Sequence, residues 1–161
     1  MFSSRVFTRS TFVLTWSVLL AACTGTPPDN LGVVNSKLAA CPESPNCVSS
    51  DSLDESHYVP AFKLEASAEL AWSEIKAYLQ AQRNMEIMIE TTDYIYVEST
   101  SSLMRFVDDF ELHLRLKDGI IAVRSASRLG KSDFGVNKKR VDDLYEALND
   151  KGLVSEAPKP I

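Results

Sequence analysis

Two stretches of the chain carry apolar residues at helical spacing. Ala68, Ala71, Trp72, Ile75, Tyr78 and Leu79 recur at intervals of three and four, while Glu69, Glu74 and Lys76 fall largely elsewhere. This predicts an amphipathic helix over about 68–82. Ser67 stands as its N-cap, and Glu69 sits in the first turn, where the helix dipole favours an acid. A second helix is predicted over about 137–149, with Val141, Leu144, Tyr145 and Leu148 on one face, Asn137 as cap and Lys151-Gly152 as stop. Between and before the helices the pattern changes to strands. Residues 57–64 have strand composition, with Pro60 marking an edge. Met85 to Thr91 and Tyr94 to Ser99 flank a Thr92-Asp93 turn, and Phe106 to Leu116 and Ile120 to Ser127 flank Asp118-Gly119. Both read as hairpins. The order β-α-β-β-β-β-α describes an α+β domain, an antiparallel sheet of about five strands with two helices packed on it.

The N-terminus has another pattern. Arg5 and Arg9 stand in a leader without acids, followed by 12 apolar or small residues from Thr11 to Ala22. A membrane span needs about 20, so the run fits the apolar region of a secretory signal. Thr24 to Ala40, with Gly25, Pro27, Pro28, Asp29, Asn30 and Gly32, has no period and reads as a flexible tether. The expected organisation is a signal over 1–22, Cys23 and tether over 23–40, one domain over 41–150 and a tail over 151–161. Composition agrees with one globular domain: 161 residues, 45% hydrophobic and 24% charged. The net charge of -5 argues against nucleic acid as partner.

The segment Leu20-Ala21-Ala22-Cys23 resembles a bacterial lipobox. The resemblance implies cleavage after Ala22 and acylation of Cys23, which would fix the protein to a membrane by its lipid. It also implies that Thr24, standing where an Asp would hold a lipoprotein at the inner membrane, directs this one to the outer membrane, facing the periplasm.

Two further cysteines, Cys41 and Cys47, are separated by a segment holding Pro42 and Pro45. Export implies an oxidising compartment, so a disulfide is expected. A metal site from Cys41, Cys47, His57 and His113 fits poorly, because C-x5-C is not a zinc spacing and the histidines are far apart. A Cys47 nucleophile served by His57 would need the bridge open. No metal and no cofactor are expected.

In the second hairpin a two-residue turn would set Leu112, Leu114 and Leu116 against Ser125, Val123 and Ile121 on the core side. On the other face Asp109 would oppose Arg128, His113 would oppose Arg124, and Glu111 would lie diagonal to both arginines. Such a face reads as solvated and self-neutralising. Beyond it, Arg124, Arg128, Lys131, Lys138, Lys139 and Arg140 fall within 17 positions, with Asp133 the local acid. Lys138, Lys139 and Arg140 would occupy a first helical turn, where cations oppose the dipole. This run is a candidate anion site.

Three blocks together carry a family resemblance: Cys41 to Ser50 (CPESPNCVSS), Phe106 to Glu111 (FVDDFE) and Arg124 to Arg140 (RSASRLGKSDFGVNKKR). The chain resembles, over roughly 38–149, the family called domain of unknown function 1499. Lys138 stands where many members are expected to have Arg, which keeps the charge but not bidentate contact. The resemblance implies no established activity.

Three functions follow as expectations. The first is a non-catalytic envelope module binding an anionic ligand through Arg124, Arg128, Asn137, Lys138 and Arg140. The second is a hydrolase-like enzyme using Asp108, Asp109, Glu111 or His113, although no G-x-S-x-G, H-E-x-x-H or P-loop is present. The third is a structural lipoprotein whose polar motif braces the fold.

Overall fold

The computed structural model describes residues 25–159. The signal segment, Cys23 and Thr24 lie outside the described residues. No helix among the described residues is long and apolar enough to cross a membrane.

The α+β arrangement is present, built among the described residues on nine strands and two helices. They follow as β1 (Val33–Val34), β2 (Lys37–Leu38), β3 (Cys47–Ser49), β4 (Phe62–Leu64), α1 (Ala68–Ala81), β5 (Met85–Glu90), β6 (Tyr94–Thr100), β7 (Val107–Arg115), β8 (Ile120–Ser127), α2 (Val136–Asn149) and β9 (Val154–Glu156). The main sheet has seven antiparallel strands in the order β5-β6-β7-β8-β4-β9, with β3 also on β8. Strands β3 and β4 share one edge of β8: β3 runs beside Arg124–Ala126 and β4 beside Ile120–Ile121.

Both helices pack on one face. From α1 come Ala71, Trp72, Ile75 and Leu79, and from α2 Val141, Leu144 and Leu148. They meet Ile95, Val97, Phe110, Leu112, Leu114, Ile121 and Val123, the inward positions of the three central strands. The period-two alternation of these strands supplies that face. Ser67 caps α1 as expected, its side chain accepting from Leu70 N at 3.2 Å. Asn137 does not cap α2. Gly135, at φ 82°, takes the N-cap position, and Asp133 supplies the acceptors instead, binding Gly135 N at 3.1 Å and Asn137 N at 2.7 Å.

Four further sequence expectations are corrected. The second hairpin turns through four residues, Leu116 to Gly119, so Leu114 faces Ile121, Leu112 faces Val123 and Glu111 faces Arg124. The shift is two residues, so the side chains that remain in the strands keep their expected face, but Leu116, expected in the core, falls in the turn and is exposed. Strand β4 starts at Phe62, and His57 to Pro60 lies outside it. Residues 31–38 are not a free tether, because they dock on the sheet face opposite the helices. Leu31 and the buried Leu38 pack on Tyr94, Tyr96 and Ala122, and Gly32 N donates to Glu111 Oε1 at 2.8 Å. Finally, part of the expected tail is structural: β9 adds to β4 and buries Leu153 and Val154.

Candidate functional site

The strap of residues 25–46 turns the polar sheet face into an interior. Tyr94, Tyr96, Asp109, Glu111, His113 and Arg124 are all buried, and Glu111 is fully so. The solvated face expected from sequence is therefore replaced by a covered one. Burial of charge is costly unless each group is paired and hydrogen-bonded, and the partners are supplied across the strands. Arg124 Nη1 donates to Glu111 Oε2 at 2.7 Å. Tyr94 Oη donates to Glu111 Oε1 at 2.8 Å and Tyr96 Oη to Asp109 Oδ1 at 2.7 Å. Arg128 reaches Asp109 through Nε at 3.0 Å and Nη2 at 2.8 Å, and also pairs with Glu98. Beside them Arg115 forks onto Asp51 and donates Nε to His113 Nδ1 at 3.1 Å.

These environments shift the titrating groups in definite directions. Burial, then the adjoining Glu111, pushes the Tyr94 phenol well above its ordinary value. Burial, then the Asp109 carboxylate, does the same to Tyr96. Burial works against the Arg128 charge, but hydrogen bonds to Asp109 and Glu98 outweigh it and raise the pKa. Burial and then Arg115 lower His113, so this imidazole is held neutral and accepts from Arg115.

The opposite face carries a second polar cluster at the start of α2. Asn137 Nδ2 donates to Asn46 O and to Ser127 Oγ, both at 2.9 Å, and Asn137 Oδ1 accepts from Ser125 Oγ at 2.7 Å. Arg140 donates to Ser125 Oγ at 2.7 Å and to Asp108 Oδ2 at 2.6 Å. Asn137 is a helix-to-sheet clamp, the role that its buried position and four-way bonding allow.

The five residues grouped by sequence thus do not form one site. Arg124 and Arg128 lie under the strap, Asn137 and Arg140 lie under α2, and Lys138 is exposed and paired with Asp142 at 2.6 Å. Of the six basic residues in the run, five are in ion pairs; Lys131 is in none among the described residues. Sequence reasoning missed Tyr94 and Tyr96, whose outward-facing hydroxyls at alternate positions of a strand were the available signal.

Cys41 and Cys47 form a disulfide, with Cα atoms 5.6 Å apart, which ties the strap to β3. His57 is buried with Nδ1 2.8 Å from Cys47 O, so it meets the backbone and not a thiol. No cluster of three metal-binding side chains occurs among the described residues.

One groove borders the strap-side network. It encloses about 340 Å³ and is lined by Asp109, Arg124, Arg128, Ser127 and, from the strap, Thr26, Asn30 and Cys41 among others. Arg124 is 3% exposed and its Nε has no hydrogen-bond partner. Its Nη2 makes no hydrogen bond among the described residues either, since Glu111 is held by Nη1. Nε and Nη2 form the side-on fork of a guanidinium, the edge that fits a carboxylate or phosphate bidentately. A larger cleft of about 450 Å³ lies between β4, the 116–119 turn and Ala157-Pro158. Its floor is mostly apolar, with Asp51 and Arg115 already joined at its side.

No curated protein and no solved structure matches the chain. A family model does match, over residues 37–148, and its description is "Protein of unknown function (DUF1499)". The match spans β2 to the last turn of α2, and so includes both polar clusters and both cysteines of the disulfide, Cys41 and Cys47. Covering more than half of the chain, it shows that this protein belongs to the DUF1499 family.

Proposed function

We propose that this protein is a lipid-anchored envelope module that holds a small anionic group in the groove beneath its strap, without catalysing a reaction. The observation that carries the reading is the unpartnered Nε of Arg124. A buried guanidinium donor left without an acceptor costs about 1–3 kcal/mol or more; Nε is itself closed to solvent, so a carboxylate or phosphate oxygen would relieve that cost by displacing strap residues to reach it. The groove falls in the size range of small-ligand pockets. Glu98, Asp109 and Glu111 outnumber Arg124 and Arg128, so attraction comes from the local fork and not from a broad positive field. Weak, salt-sensitive binding of a small group follows.

The other expected ligand residues act differently in this reading. Asn137, Arg140 and Arg128 brace the fold, since their bonds are already made inside the domain. This bracing also supports the structural-lipoprotein reading for the α2 side. The hydrolase reading has less support: Asp108, Asp109 and Glu111 are each held by an arginine, and none stands free in an apolar cleft.

The test is thermal melting of the full chain at constant ionic strength. Replacing chloride by acetate or inorganic phosphate is expected to raise Tm of the wild type by ligand linkage. Phosphate also stabilises proteins generally, so the Arg124→Lys variant supplies the reference, and it is expected to show a smaller rise. Equal rises in both proteins would contradict the reading. Attachment through Cys23, with the outer membrane as destination, is read separately. An alkyne fatty acid should label the wild type and not Cys23→Ser, and equal labelling would contradict the anchor.

A further inference from the structure

One end of the sheet gathers side chains that the fold does not use. Residues 101–106 join β6 to β7, and residues 128–135 follow β8. Asp108 pairs with Ser99 on one side and Ser127 on the other, and Arg128 N donates to Val107 O at 3.3 Å. Both segments therefore leave the sheet at the same end. Thirteen large apolar side chains are exposed among the described residues, and six of them are here: Leu103, Met104, Phe106, Leu129, Phe134 and Val136. Phe134 is 97% exposed and Leu103 88%. Phe134 also sits at φ 53°, a left-handed conformation that a bulky residue adopts at a cost. A strained backbone that presents a phenylalanine to water does nothing for the stability of this domain.

The charges at this end are mostly of one sign. Arg105 and Lys131 stand in these two segments and join no ion pair among the described residues. Asp133 is the single acid in either segment. The first turn of α2 follows directly, with no acid in it and with Lys138 and Lys139 more than half exposed. Their placement at the positive end of the helix dipole makes this end more positive still.

The chain also enters the domain here. Gly25 packs against Arg128 and Leu129, and a Cβ on it would lie 3.0 Å from Arg128 Cβ and 3.3 Å from Leu129 Cγ. Cys23 is two residues further back, a reach of at most about 7 Å.

We propose that this end of the domain rests on the bilayer, with the apolar tips of both segments in the headgroup region and Arg105, Lys131, Lys138 and Lys139 against anionic headgroups. Apolar side chains with a basic rim are the composition that binds a membrane interface. The inference rests on the lipid-anchor reading of Cys23, which would bring the bilayer to this end and not to the 116–119 turn.

The test places single tryptophans in the full, membrane-derived chain: Leu103→Trp and Phe134→Trp at the proposed contact, and Leu116→Trp, itself an exposed site, at the opposite end of β7. The proteins are reconstituted into phosphatidylethanolamine–phosphatidylglycerol vesicles with or without brominated acyl chains. The emission of wild-type Trp72, buried in the core, is subtracted. Leu103→Trp and Phe134→Trp should lose most of their emission with brominated lipid, and Leu116→Trp should lose none. Adding Arg105→Glu and Lys131→Glu should reduce the quenching at residue 134. If the chain floats with the vesicles but residue 134 is quenched no more than residue 116, the contact surface is wrong while the anchor stands. If fatty-acid labelling finds no acyl group on Cys23, the anchor fails and this inference falls with it.

Discussion

The two faces of the sheet each hold a buried polar cluster built around arginine, and the clusters are finished to different degrees. On the α2 side, Asp108, Asn137, Arg140, Ser125 and Ser127 bond to one another, and no buried side-chain atom among them lacks a partner. On the strap side, Glu111, Asp109 and both tyrosines are satisfied, but the Arg124 Nε is not. The covers differ as well. A helix of 14 residues with an apolar stripe closes the first cluster. The second is closed by a strap held by Leu31, Leu38, the amide bonds of Gly32 to Glu111 and of Leu38 to Asp51, and a disulfide. A closed cluster specifies a fold, whereas one with a spare charged donor beside a groove is equipped to take a ligand.

The largest expected effect breaks the strap side. Glu111→Ala would leave Arg124 buried and unpaired and deprive Tyr94 and Gly32 of their acceptor, at a cost of roughly 3–5 kcal/mol in urea unfolding. A loss under about 1 kcal/mol would mean that the strap opens easily and lets water in. Breaking the α2 side comes next. Asn137→Ala should cost about 1–3 kcal/mol yet leave the acetate response unchanged, and a lost response would join the two clusters that the comparison separates. Reducing the Cys41–Cys47 bridge should cost about 2 kcal/mol by chain-entropy reasoning for a short loop. Hydrogen exchange should then rise first at Gly32 and Leu38, the amides that strap contacts protect, and uniform exchange would argue against strap release.

A smaller effect sharpens the comparison through pH. Burial and Arg115 hold His113 below its ordinary value, with Asp93, Asp51 and Asp118 opposing more weakly. The unfolded chain therefore binds a proton more readily than the native one. Stability contributed by neutral His113 is present above about pH 6.5 and falls as the pH drops toward the lower native value. His113→Asn should flatten that part of the stability–pH curve, and an unchanged slope would assign it to other groups. The smallest effect is expected at Lys138 and Lys139. Their pairs with Asp142 and Asp143 are exposed i,i+4 contacts worth about 0.3–0.5 kcal/mol each. Opposing the helix dipole offsets this, so Lys138→Gln with Lys139→Gln should leave Tm nearly unchanged.

The sequence was most legible where a period was long. The α1 stripe from Ala71 to Leu79 and the alternation in β6, β7 and β8 each repeat enough to define a face. The hairpin shows how robust a face is: the turn was read two residues short, yet Asp109, Glu111 and His113 stayed on the side assigned to them because the error was even. Asn137 was misread because a cap and a buried amide look alike in sequence, and the partner that decides, Asn46, is 91 residues away. The strap was illegible for a related reason. It docks through two leucines and the backbone amides of Gly32 and Leu38, too few contacts to impose a period on Thr24 to Ala40. Without the strap, the polar face could only read as solvated. The short strands β3 and β9 likewise derive their identity from the neighbours they complete.

The anion seat turns on one nitrogen, and an NMR titration can observe it. In the full chain in detergent micelles, the Arg124 Nε–Hε resonance is followed as acetate or inorganic phosphate is added at constant ionic strength. A saturating downfield shift of that resonance is expected, with Arg128 and Arg140, already bonded to carboxylates, moving little. If the Arg124 signal does not move, or all three arginines drift together without saturation, the groove has no anion seat and the strap-side cluster is a brace like its counterpart.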